Sequence, residues 1–119
     1  MLLNPSKQHH IRTLFQVAER DLESTEVLLR HSPHLYEVVG FHCQQAVEKL
    51  LKAALVGAHV AFPCTHDLVR LAELLPVSLQ LPDDLIDEAA GLNIFAVQHR
   101  HELEEASGLN AAALVTSSN

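Results

Sequence analysis

The stretch Gly40-Phe41-His42-Cys43-Gln44-Gln45-Ala46-Val47-Glu48-Lys49-Leu50-Leu51-Lys52-Ala53-Ala54-Leu55-Val56 decides the fold. It reads as a helix apolar on more than one side, yet it keeps Gln44, Gln45, Glu48, Lys49 and Lys52 among its apolar residues. A helix apolar around most of its circumference is buried on several faces and sits at the centre of a bundle. Polar side chains held near a core must then be hydrogen-bonded or paired. His42, Gln45, Lys49 and Lys52 recur at steps of three or four and share one stripe, with Gln44 and Glu48 on the neighbouring one.

The segments on either side read as helices that would pack on it. Ile11, Leu14, Phe15, Ala18, Leu22, Thr25 and Leu29 follow the spacing of one helix face and predict a first helix from about His10 to His31. Glu19, Asp21, Glu23 and Glu26 form its acidic, solvated side, and Pro33 ends the run. The central helix is expected from Pro33 or His34 to Val56, with Gly57 as its stop. After a loop over Ala58 to Cys64, Thr65 is the expected cap of a short third helix that carries Asp67 in its first turn and ends before Pro76. Asp83, Asp84, Asp87 and Glu88 open a fourth helix whose apolar face includes Leu85, Ile86, Ala89, Leu92, Ala96 and Leu103. The reading is an all-α up-and-down bundle of four main helices with room for a short fifth. Residues 1–9 are expected as a lead, 10–106 as the bundle, and 107–119 as a short C-terminal helix or frayed tail.

Composition agrees with this class. A chain of 119 residues with 48% hydrophobic content, 4% aromatics and no Trp suits one domain of interlocking aliphatic helices better than a β-sandwich. No apolar run approaches the roughly 20 residues of a membrane span, and the first residues lack a signal-peptide core. The expectation is a soluble, cytoplasmic protein with no membrane partner. Two cysteines, Cys43 and Cys64, are too few for a disulfide framework and are expected to be reduced. A formal net charge of -7 opposes sequence-independent binding to nucleic acid but leaves room for a local basic site.

The run Phe41 to Ala53, followed by Thr65-His66-Asp67-Leu68 and by Leu92-Asn93 with Arg100, resembles the HEPN domain family. Its members share a Gln-Gln-Ala-x-Glu-Lys-x-x-Lys-Ala helix, a Thr-His-x-Leu helix start and an Asn-to-Arg segment. The resemblance implies a prokaryotic nucleotide- or phosphate-binding helical module that pairs with a small nucleotidyltransferase in a toxin–antitoxin-like system. Ribonuclease members carry Arg, four to six residues, then His. None of Arg12, Arg20, Arg30, Arg70 and Arg100 has that spacing here, so a non-catalytic role is expected. Many members also have Arg-Tyr-Pro where this chain has Arg100-His101-Glu102, and without that proline the fourth helix has no reason to stop there.

The candidate ligand-binding residues are Gln45, Glu48, Lys49, Lys52, His66 and Arg100. Two lysines in line could receive phosphate oxygens, and a guanidinium fork binds two at once. The same residues also fit a structural reading in which Glu48 pairs with Lys52, Gln45 bonds a neighbouring helix and Arg100 bridges to a carboxylate. If the chain is instead a metal-independent endoribonuclease, Arg100 with His101 or His66 would act on RNA. A third reading is a dimeric scaffold without ligand. His59, Cys64 and His66 are the one mixed cluster of metal ligands, three at irregular spacing where structural zinc needs four, so no metal and no cofactor are assigned. Apolar stripes wider than one bundle covers point to a homodimer.

Overall fold

The Asn4 side chain accepts a hydrogen bond from the Lys7 amide at 2.8 Å and Pro5 follows it, a pairing that starts a helix. Helix α1 therefore spans Pro5–His31 and takes in most of the expected lead. The computed structural model describes residues 3–117, with side chains described for 3–107, so Met1 and Leu2 of the expected lead and Ser118 and Asn119 of the expected tail lie outside the described residues. Pro33 and His34 form a turn in which the Leu35 amide donates to the Ser32 carbonyl at 3.0 Å. Helix α2 consequently starts later than expected and spans Tyr36–Gly57. Gly57 is its last residue, and the left-handed backbone expected near a glycine stop falls on His59 instead, at φ 60°. The His59 Nδ1 lies 3.0 Å from Lys7 Nζ, which ties this turn to the start of α1.

Helix α3 spans Leu68–Glu73, and its cap is Asp67 rather than Thr65. Thr65 stands two residues back, its hydroxyl accepting from the Asp67 amide at 3.1 Å. A single 3-10 turn, Val77–Leu79, fills the segment between Pro76 and Pro82. Helix α4 then runs unbroken over Asp83–Ser117, where a fourth helix and a separate fifth helix or frayed tail were expected. No proline follows Arg100, and the Glu, Leu and Ala residues beyond it are strong helix formers. Its 35 residues give a rod of about 52 Å.

The bundle is all-α and centred on α2, which packs against each of the other three helices. Leu51 and Leu55 of α2 join Leu68, Leu71, Ala72, Leu75 and Ala89 in the main core, and Ala53 and Val56 meet Leu14 of α1 in a second cluster. At Gly40 the approach of α4 is so close that an added Cβ would overlap the Phe95 ring. Helix α1 has α2 as its one packing neighbour among the described residues. Leu14, Ala18 and Thr25 are thus buried, while Phe15, Leu22 and Leu29 of the same broad stripe remain about half exposed. Leu85 and Leu103 of the expected α4 face are also exposed. No described helix is long and apolar enough to cross a membrane.

Candidate functional site

Gln44 and Glu48 sit one turn apart on α2 and are both fully buried, on the side where the chain returns to begin α3. The Glu48 carboxylate is surrounded by donors. Its Oε1 lies 2.8 Å from His66 Nδ1 and accepts from Gln44 Nε2 at 3.3 Å, and its Oε2 accepts from Lys49 Nζ at 3.1 Å and Lys52 Nζ at 3.2 Å. Gln44 also donates to the His66 carbonyl at 3.0 Å and accepts from Gln45 Nε2 at 2.7 Å. Each polar group on the buried stripe has a partner, which is the condition for placing it there. Burial alone would raise the Glu48 pKa, but hydrogen bonds from His66 and Lys49 and the charges of Lys49 and Lys52 outweigh it. The carboxyl is held below the usual carboxylate range.

His66 belongs half to this network and half to solvent, its side chain 53% exposed. In the neutral ring, the bond to Glu48 puts the proton on Nδ1 and leaves Nε2 as an outward-facing acceptor. The next residue fixes the geometry further. Asp67 caps α3 through Oδ1, and Asn93 of α4 donates to the same oxygen at 2.9 Å while accepting from the Leu68 amide at 2.9 Å. Asn93 therefore fastens the start of α3 to α4. Arg100 lies two turns further along the same face of α4, a spacing of three and four through Ala96 and Val97.

Two clefts meet at this point. One, of about 280 Å³, is lined by Thr65, His66, Asp67, Asn93 and Arg100 among others. The second, of about 240 Å³, is lined by Phe41, Gln45, His66, His99 and Arg100 among others. His66, Ala96 and Arg100 form their shared edge, with His66 and Arg100 as its polar groups. Arg100 is exposed and makes no ion pair among the described residues, so its guanidinium is not committed to Glu48 or to an acidic residue of α1.

The six candidate residues thus divide. Gln45, His66 and Arg100 reach the clefts, Glu48 lies beneath them, and Lys49 and Lys52 are turned onto Glu48 and line neither cleft. His42, on the same stripe by spacing, faces away to α1, its Nδ1 2.9 Å from Asp21 Oδ1. His101 is exposed and lines neither cleft. No group of three or more metal-ligating side chains gathers among the described residues, and His59 faces Lys7 while His66 faces Glu48. Gln44, Asp67 and Asn93 also build the site. Their sequence signals were the four-residue step from Gln44 to Glu48 and the seven-residue step from Asn93 to Arg100.

An all-α bundle whose central helix buries a Gln-Glu-Lys network beside a His–Arg cleft defines a class of small helical modules. The chain belongs to the HEPN domain family, whose model matches residues 11–115. This membership supports a nucleotide-binding or ribonuclease-like helical module. Searches of curated proteins and of solved structures found no match to this chain.

Proposed function

We propose that this HEPN module binds the phosphate of a nucleotide at the edge shared by the two clefts, without turning it over. Arg100 donates to the phosphate oxygens, His66 joins it in its doubly protonated form, with Nδ1 still donating to Glu48 and Nε2 donating to the phosphate, and Gln45 supplies a neutral hydrogen bond from the α2 side. Lys49 and Lys52 act from behind: with Arg100 they outnumber the charges of Glu48 and Asp67 and leave a locally positive site in an acidic chain. The observation that carries the reading is the uncommitted guanidinium of Arg100 beside an imidazole fixed by a buried carboxylate. Calorimetric titration with 5′-nucleotides tests it. Binding that is lost in Arg100→Ala and His66→Ala is expected, and absence of binding, or equal affinity in both variants, would contradict it.

The half-exposed Phe15, Leu22 and Leu29 of α1 support a homodimer, and family membership supports a small nucleotidyltransferase as partner in a toxin–antitoxin-like pair. Sedimentation and co-purification with an adjacently encoded nucleotidyltransferase test these assignments.

The Glu48–His66 bond favours one second reading, a metal-independent endoribonuclease. A carboxylate-held imidazole can take the proton of an RNA 2′-hydroxyl while Arg100 stabilises the charge gathering on the phosphate. Cleavage of single-stranded RNA in the presence of a chelator, abolished by Arg100→Ala, would favour it. Intact RNA together with harmless expression would rule against it.

A further inference from the structure

Helix α4 outgrows the bundle. Each residue from His101 to Ser107 is exposed, on every side of the helix, and the helix then continues to Ser117. The radius of gyration is 17.5 Å and the long dimension 62 Å, against 31 and 23 Å across. A compact domain of this length has a radius of gyration of about 13 to 14 Å. The projecting arm is also uncharged: no Asp, Glu, Lys, Arg or His follows Glu105, while Leu109, Leu114, Val115 and several alanines do. A helical segment this short is marginal in water by itself and is held by packing of its apolar side.

A second uncovered surface lies on α1. A groove of about 610 Å³ between α1 and the start of α2 is lined by Arg20, Ser24, Val27, Leu28 and Val38 among others, with Val27 and Val38 51% and 42% exposed. Helices α1 and α4 have no contact with each other among the described residues, so the arm does not cover this groove in its own protomer. We propose that the α4 arm of one copy lies in the α1–α2 groove of a second, each copy giving one arm and receiving one. The proposal rests on the homodimer reading and assigns the contact that forms it.

The course of the chain fixes how the arm enters. Both α1 and α4 climb α2 toward its start: Leu14 clusters with Val56 and Asp21 meets His42, while Ala89 joins the Leu51 and Leu55 cluster and Phe95 meets Gly40. The arm therefore projects past the start of α2, and only a copy inverted by a two-fold axis across the helices returns its arm over α1. It then runs antiparallel to α1. In that direction the two faces match. Glu105, Leu109 and Ala112, at steps of four and three, share one side of the arm, and Arg30, Val27 and Ser24, at steps of three, share the facing side of α1. Glu105 meets Arg30, and neither has an ion pair among the described residues. Leu109 fills the space beside Val27 and Val38, and the small Ala112 crosses the small Ser24. Two exchanged arms double the contact, which is how helix-sized patches reach the roughly 1,200 Å² in total of a stable interface. A two-fold exchange also closes on itself, so it gives a dimer and no fibre.

Sedimentation velocity on the full chain, from low micromolar to near-millimolar concentration, tests the assignment. A dimer that dissociates on dilution is expected. Leu109→Asp in the arm and Val27→Asp in the groove should each weaken it at least about tenfold, because each change acts at both contacts. The melting temperature of the dilute monomer should stay the same in both variants, as the arm packs on nothing in its own protomer and Val27 is half exposed. Mixing the two variants should restore association above that of either alone, since the intact arm of one meets the intact groove of the other. A dimer indifferent to both substitutions would overturn the arm contact and leave the homodimer reading standing. A chain monomeric at every concentration would overturn both. Loss of the dimer in one variant alone, or a mixture no better associated than its components, would show pairing of like surfaces and contradict the exchange.

Discussion

His66 Nδ1 lies 2.8 Å from Oε1 of Glu48, a carboxylate with no exposed surface at all. This bond joins the core of α2 to the open clefts and decides which ring nitrogen of His66 faces them. The groups that stabilise the fold and those that shape the site are therefore partly the same, and substitutions at them separate the two contributions.

Glu48→Gln keeps the shape but leaves Lys49 and Lys52, only 22% and 15% exposed, without their counter-charge. Removing one partner from a buried ionic cluster costs about 3 kcal/mol or more. Urea denaturation should read this loss, with an unchanged m-value.

Acid should remove the same stabilisation. The Glu48 pKa is lowered in the folded state, so the unfolded chain binds more protons in the window between the two values. The contribution is fully present above the unfolded value, about 4.3, and is lost as pH falls through the lower folded one. Denaturation midpoints of wild type and Glu48→Gln should converge as pH is lowered through that window and stay apart near neutrality.

Arg100→Ala removes no ion pair found in the fold, so its stability should change by less than about 0.5 kcal/mol. Its nucleotide affinity should fall about tenfold or more, the usual cost of a lost charged hydrogen bond. His66→Ala should lose similar affinity and also about 1 to 2 kcal/mol of stability, since Glu48 then lacks one donor. Calorimetry and thermal melts on the same samples check both.

Asn93→Ala removes the clasp between the start of α3 and α4, leaving the Leu68 amide without its partner. A loss of about 1 to 2 kcal/mol follows, with faster hydrogen exchange at Leu68. Affinity for phosphate should fall as well, because the clasp sets the separation of His66 and Arg100.

Gly40→Ala places a methyl group into the Phe95 ring and should cost about 1 to 3 kcal/mol. Phe95→Leu in the same chain should recover part of it. A double-mutant cycle measures the coupling.

Much of the bundle was legible because α2 carries apolar residues on several faces, and because prolines and acidic first turns mark the helix ends. The start of α1 was not, since the cap Asn4 lies before the periodic pattern begins. The run of α4 through to Ser117 was signalled by the missing proline, but nothing in the tail declared whether it would stay helical. At the site, spacing placed Gln45, Lys49 and Lys52 on one stripe and read Glu48 with Lys52 as a four-residue pair, which the structure bears out, but it did not say that Lys49 would turn to the same carboxylate. A fully buried Glu48 one turn before Lys52 drew them inward. That His66 would sit beside Arg100 depended on the Asn93 clasp, a contact between distant segments that helix periodicity does not encode.

The central claim is that His66 and Arg100 together receive a phosphate. The direct measurement is the nitrogen chemical shift of the His66 ring and the Arg100 guanidinium during titration with AMP. Both are expected to move along one saturable curve while the Lys49 and Lys52 ammonium signals keep their contact with Glu48. Unmoved His66 and Arg100 signals under saturating AMP would contradict the account.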